Sequence, residues 1–268
     1  LSISNLGFSF GEALIPLFLV SALIYFSWQK IWILAALVTL FSIPILIWLL
    51  RQERSPQSID AEDQSLGMNK LHWTRKQTIS HPLFWFMMPA VIGQSAFNTA
   101  FFFQQVHFSE IKGWEHLSLV SMFPIYTGVA ICMMILSGIL LDKFGTAKLI
   151  PYFQLPMIIA FILFAFGETL YSALFGFIFL GITSGANTTL PNAFWAEFFG
   201  TKHLGSIKAA AAAAMVLGSA IGPALTGILL DFKFTLNIQY IFISIFFIIS
   251  SFSMWLGVSK SKKYLLDK

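Results

Sequence analysis

The sequence predicts an all-α protein that crosses a membrane repeatedly, and three observations predict it. Of 268 residues, 57% are hydrophobic, 10% are charged and 30 are phenylalanine; the mean hydropathy is +0.79. A water-soluble domain carries about 25% charged residues, so charge is too sparse here to cover a soluble surface. The chain also divides into eight apolar runs of roughly 20 residues, the length that crosses a ~30 Å hydrocarbon core. Finally, almost every charge falls between those runs or at their ends. A helix satisfies its backbone hydrogen bonds internally, which lipid demands.

Taken in order, the first two runs are about 6–26 and 31–50. A polar interval, Arg51 to His81, follows with five basic and four acidic residues. Its later part, NKLHWTRKQTISHPLFW, interleaves basic residues with Trp, Leu and Phe. That suits a short helix lying at the membrane interface, and equally an ordinary solvated linker. Six further runs lie at about 83–106, 118–141, 149–167, 171–194, 207–230 and 237–257. The expected organisation is therefore a two-helix piece (1–50), a central loop (51–82), a six-helix piece (83–258) and a tail (259–268).

The sixteen Lys and Arg residues fix an orientation. Five follow the second run, two the fourth, two the sixth, and four end the chain; only Lys30, Lys112 and Lys233 lie on the other side. Positive loops mark the cytoplasmic side, which places both ends of the chain there, in an inner or plasma membrane. The pI near 9.2 follows from these loops. No aromatic–basic module accompanies it, so nucleic acid is not an expected partner. The single cysteine, Cys132, lies within an apolar run and reads as packing. Neither a metal-ligand cluster nor a cofactor motif is present in the sequence. The chain opens on Leu1, beside an apolar run and without a basic leader; it reads as a fragment.

The stretch SGILLDKFG, Ser137 to Gly145, returns 89 residues later as TGILLDFKF, Thr226 to Phe234. Asp142 ends the fourth run and Asp231 the seventh. Three crossings separate the copies, so they face opposite sides of the membrane. Similar helix endings at opposite faces, three helices apart, are what an inverted-topology repeat produces. Runs three to five and six to eight would be two related three-helix units.

Gly138-Ile-Leu140-Leu-Asp142-Lys143-Phe-Gly145, with Lys148 following, resembles the loop signature of the major facilitator superfamily, Gly-x-Leu-x-Asp-Arg/Lys-x-Gly followed by basic residues. The copy lacks a second basic residue directly after Gly145. Ala196-Glu197-Phe-Phe-Gly200-Thr-Lys202-His203-Leu-Gly205 resembles the loop between helices 10 and 11 of that family, and Gly218 to Gly227 its helix 11. The resemblance covers the whole chain. It implies a bundle of eight transmembrane helices, family helices 5–12: the last two of the N-terminal half and the complete C-terminal half. It further implies that Gly138, Asp142, Lys143 and Gly145 form a gate loop, with Asp142 bracing the two halves near Ser4 and Asn5. Asp231 keeps the helix ending without that chemistry and reads as structural.

Polar side chains within apolar spans are candidates for a pathway. In the third run, Gln94, Asn98 and Gln105 share one helix face, with Phe101 and Phe102 between them. In the sixth, Asn187, Thr188 and Asn192 lie near mid-membrane. Two helices presenting amides at one depth suit a central site; the same groups also serve as interhelical hydrogen-bond glue. Glu12 is the one charge well inside a span. A buried carboxylate with a raised pKa is one means of coupling transport to protons; proximity to the surface or pairing with a base elsewhere would explain it equally. The pairs Gly7/Gly11, Gly181/Gly185 and Gly218/Gly222 are four apart and permit close helix approach.

The functional expectation is a secondary active transporter, without catalytic residues, metal or cofactor. It would move a small solute by alternating access, with protons as the candidate coupling ion. The likeness is closest to organic-anion and monocarboxylate carriers, while an amide-lined, Phe-rich half suits a neutral or apolar solute as well. The alternatives are a non-transporting receptor on a transporter fold and an intramembrane enzyme. For the enzyme, HExxH and paired mid-membrane aspartates are missing.

Overall fold

The computed structural model of the chain describes residues 2–50 and 65–265; the side chains of residues 2–10, 12, 13, 49 and 50 lie outside that description. Two helices, α1 (Ser2–Leu23) and α2 (Trp28–Leu50), come first. After the central interval come a short helix, α3 (Arg75–Ser80), and the 22-residue α4 (Pro82–Phe103). The chain continues through α5 (Gln105–Ile111), α6 (His116–Val120), α7 (Phe123–Phe144) and α8 (Thr146–Leu149). It ends with α9 (Leu155–Phe166), α10 (Leu170–Phe199), α11 (Leu204–Asp231) and α12 (Leu236–Ser261). No strand occurs among the described residues.

Among the described residues, five helical stretches are long and apolar enough to cross a membrane: Trp28–Trp48, His116–Phe144, Leu170–Phe199, Leu204–Asp231 and Leu236–Tyr264. α4 has the length, but Gln94, Ser95, Asn98 and Thr99 interrupt its apolar run. Two predicted spans are broken within their length, and a third, 118–141, is interrupted near its start by the turn at 121–122 between α6 and α7. The run 83–106 stops as α4 at Phe103, because the chain turns at Gln104 to insert Phe108. That ring is fully buried and lies 5.6 Å from Phe101, which stacks on Phe164 at 4.3 Å. The run 149–167 divides into the end of α8, a turned segment over 150–154 and the 12-residue α9. Pro151 and Pro156 bring no N–H to the helical ladder there.

Gln154 stabilises that break. It is fully buried; its Nε2 donates to the Ala90 carbonyl at 2.8 Å, and its Oε1 accepts from Ser250 Oγ at 2.9 Å. One side chain thus ties α4, α9 and α12 together. Gln154→Leu strands a buried hydroxyl, and thermal unfolding in detergent is expected to show a loss of about 1–3 kcal/mol. An unchanged midpoint would remove this role.

The helices pack in a two-fold pattern. With (α4, α7, α9) and (α10, α11, α12) taken as two units, the first helix of each packs on the second of the other: α4 on α11, and α10 on α7. The third helix of each packs on the first of the other, α9 on α10 and α12 on α4, and α9 meets α12. Such a reciprocal exchange is consistent with two units related by a two-fold axis, as in an inverted repeat. α1 lies against α6 and α7.

Small residues let two of these pairs approach closely. A Cβ on Gly222 would lie 2.0 Å from the Ala96 carbonyl oxygen of α4, and one on Gly185 2.2 Å from the Ala130 carbonyl oxygen of α7. Two of the three glycine pairs seen in the sequence are therefore helix contacts; Gly7 of the third lies outside the described side chains.

Two apolar cores fill the two ends of the bundle. One gathers Phe84, Phe194, Phe198, Ile207 and Val258, with Trp73 against it. The other gathers Phe101, Phe108, Phe161, Phe177 and Tyr240, with Trp114 against it. The echoed helix endings separate accordingly: Leu141 packs on the core at the Trp73 end and Leu230 on the core at the Trp114 end.

The close of the central interval is docked onto the bundle. Thr201 N donates to Ser65 O at 3.1 Å, and Trp73 N donates to Phe199 O at 3.0 Å. Met68 is 1% exposed, and a Cβ on Gly67 would lie 2.5 Å from the Phe198 carbonyl oxygen. Trp73, His81 and Phe199 meet edge to face. α3 begins with a capping box, Thr74 with Gln77. His81 caps α4 by accepting from Leu83 N through Nδ1, and burial holds its pKa below the usual histidine value. Residues 65–81 are thus docked on the bundle rather than a free linker, and α3 is a six-residue helix within them.

Candidate functional site

A cavity of about 420 Å³ opens between α4, α7, α10 and α11. Its position follows from the packing: α4–α11 and α7–α10 are each drawn together by glycines, while α10 and α11 touch little. The gap between the two tight pairs is the cavity.

α4 supplies Gln94 and Asn98, one turn apart. Gln94 is 5% exposed, and its Oε1, like Asn98 Oδ1, is buried with no hydrogen-bond partner among the described residues. An unpaired buried acceptor costs about 1–3 kcal/mol, so both acceptors call for a donor. α10 supplies Asn187 and Thr188. Pro191 brings no N–H to the Asn187 carbonyl. No charged residue and no phenylalanine lines this cavity among the described residues. Phe101 and Phe102, which follow these amides on α4, instead belong to the core at the Trp114 end: Phe101 on Phe164, and Phe102 against Phe123 and Tyr126.

Four of the six predicted cavity residues, Gln94, Asn98, Asn187 and Thr188, thus meet at one cavity. Gln105 and Asn192 do not. Gln105 lies past the end of α4, at the start of α5, with its Oε1 buried. Asn192 is exposed and donates from Nδ2 to the Thr188 carbonyl at 2.7 Å.

Four further polar lining residues were not anticipated: Ser95, Thr99, Tyr126 and Ser184. Ser95 Oγ donates to Met215 O at 2.6 Å, linking α4 to α11. Tyr126 donates to Ser184 Oγ at 3.0 Å, linking α7 to α10. Ser184 precedes Asn187 by three and Thr188 by four, a helical spacing that could have found it.

Glu12 lies on α1, and its side chain is outside the described residues; so are those of Ser4 and Asn5. The predicted gate loop closes α7. Gly145 has φ +75°, a left-handed conformation that favours glycine, and its N–H donates to Leu141 O at 2.8 Å. Asp142 and Lys143 are exposed; the ammonium of Lys143 sits 5.4 Å from the Phe144 ring centre. Asp142 makes no ion pair with a described residue.

An all-helical bundle with five membrane-length helices and a polar cavity between four helices defines a polytopic membrane protein. The particular family follows from comparison: the model of the Major Facilitator Superfamily matches residues 1–223 and, in a second overlapping match, 138–266. The chain belongs to the major facilitator superfamily, and is accordingly an integral membrane protein and a transporter of small molecules. A comparison with curated proteins finds no match.

Proposed function

We propose that this protein is a secondary active permease that carries a small polar solute by alternating access, binding it between α4, α7, α10 and α11. The observation that carries this reading is the pair of unpaired acceptors, Gln94 Oε1 and Asn98 Oδ1, in a cavity faced by Asn187 and Thr188. Such a lining favours a solute rich in hydroxyl or N–H donors. An organic anion or monocarboxylate would be held by amide N–H groups and hydroxyls, with its counter-charge outside this lining.

In this reading the chain crosses the membrane eight times, by α1, α2, α4, α7, α8 with α9, α10, α11 and α12. The segments are then two N-terminal helices (1–50), a cytoplasmic central loop (51–82), a six-helix half (83–258) and a cytoplasmic tail (259–268). The excess of Lys and Arg at the Trp73 end makes that end cytoplasmic, in an inner or plasma membrane. Exposed Asp142, beside Lys143 and Gly145 and following Gly138, is the gate-loop carboxylate. Glu12, on a helix that packs against α7, is the proton-coupling residue.

The test uses the protein in proteoliposomes under an inside-alkaline pH gradient, with sugars, small carboxylates and lipophilic cations as solutes. One class is expected to accumulate, and Glu12→Gln is expected to lose gradient-driven uptake while retaining exchange. Uptake unchanged in Glu12→Gln would remove the coupling residue and keep the permease. No flux of any class through folded protein would favour a receptor.

A further inference from the structure

The sparse side of the charge pattern holds three lysines, Lys30, Lys112 and Lys233, and two of them wall one cavity. This second cavity, about 540 Å³, lies at the Trp114 end, between the close of α5, the α9–α10 turn and the α11–α12 turn. The side chain of Lys112 is only 3% exposed, which is rare for lysine. Its ammonium donates to Ala165 O at 3.3 Å and to Glu168 Oε1 at 3.2 Å. An ammonium has three donors, so one is left over. Lys233 makes no ion pair among the described residues. It follows the α11 ending at φ +67°, where a lysine is costly. Buried Gln239 pins the turn beside it by donating to Thr226 O and Phe234 O. Asn237 adds a carboxamide whose Oδ1 is buried and has no partner among the described residues. Glu168 is the one carboxylate on the wall, and its side chain is 76% exposed, so water weakens its hold on Lys112.

We propose that this cavity is an anion site separate from the central one, taking a small carboxylate that also bears a hydroxyl or amino donor. The carboxylate accepts from the remaining N–H of Lys112 and from the Lys233 ammonium, and the donor meets Asn237 Oδ1. Under the orientation given above, the site faces outward. A phospholipid headgroup offers the same chemistry, a phosphate for the lysines and a glycerol hydroxyl for the amide. Binding is read without flux, so this inference and the permease reading fail separately.

The experiment titrates the protein, in phosphatidylcholine nanodiscs, with ¹³C-carboxyl glycolate and acetate, following line broadening. Glycolate is expected to bind, acetate more weakly for want of the hydroxyl. Lys112→Gln and Lys233→Asn are each expected to weaken glycolate about tenfold or more; asparagine is chosen at 233 because it tolerates positive φ. Loss of glycolate binding in phosphatidylglycerol nanodiscs, with that lipid retained by the wild type and not by the double variant, would keep the anion site and make a headgroup its occupant. Equal glycolate binding by the wild type and both variants would overturn the proposal. So would no glycolate binding together with no selective retention of phosphatidylglycerol.

Discussion

Gly222→Ala is expected to destabilise the bundle by about 1–3 kcal/mol, while Gly227→Ala, five residues on in the same helix, is expected to be neutral or slightly stabilising. The difference is one of surroundings. A Cβ at 222 would lie 2.0 Å from the Ala96 carbonyl oxygen, 2.5 Å from its carbon and 2.7 Å from its Cα. All three atoms are backbone, so no side chain can rotate away, and α11 must withdraw from α4. A turn earlier, a Cβ at 218 would meet the Ile92 carbonyl oxygen at 2.7 Å, so the close approach extends along the pair. Withdrawal also stretches the hydrogen bond from Ser95 to Met215 and opens the wall of the central cavity. At 227 a Cβ meets nothing within 4 Å, and exchanging glycine for alanine in a helix gains about 0.5–1 kcal/mol. Thermal unfolding of the two variants beside the wild type decides the matter. If Gly222→Ala proves as stable as Gly227→Ala, the helices do not approach as closely as this.

What the sequence made legible was mostly what depends on period and charge. The glycine pairs at 181/185 and 218/222 and the pair Gln94–Asn98 follow from helical spacing, and each has its counterpart in the structure. The echo of Gly-Ile-Leu-Leu-Asp pointed to two units, and the exchanged packing of α4, α7 and α9 with α10, α11 and α12 matches that pattern. Helix ends were less legible, because tertiary contacts set them. Gln105 continues the stripe only if α4 runs on, and α4 stops at Phe103 so that Phe108 can reach Phe101 and Tyr240. The break before α9 was hidden for a similar reason. Its two prolines were visible, but Gln154, which bridges Ala90 and Ser250 across the bundle, is not a local signal. The docking of Ser65–Trp73 onto Phe199–Thr201 likewise rests on backbone hydrogen bonds between segments more than 100 residues apart, which no periodicity encodes.

Gln94→Leu and Asn98→Ala are expected to lower kcat/KM for transport about 10–100-fold while leaving thermal stability unchanged or slightly raised. Hydrogen bonds to a solute that leave a buried group unpaired when lost are worth about 1–3 kcal/mol, and each 1.4 kcal/mol is tenfold. Stability is not expected to follow, because Gln94 Oε1 and Asn98 Oδ1 have no partner among the described residues to lose. A buried acceptor without a donor is itself a cost, and an apolar replacement at Gln94, 5% exposed, removes it. That combination separates a binding residue from interhelical glue, whose removal lowers stability and transport together. Gln105→Leu and Asn192→Ala serve as controls, since neither residue lines the central cavity. Asn192 spends its Nδ2 on the Thr188 carbonyl of its own helix, so its loss is expected to cost little of either quantity. Should Gln94→Leu unfold early with transport falling in proportion, the amides of α4 are structural, and the solute must be sought against another wall of the same cavity, at Asn187 and Thr188.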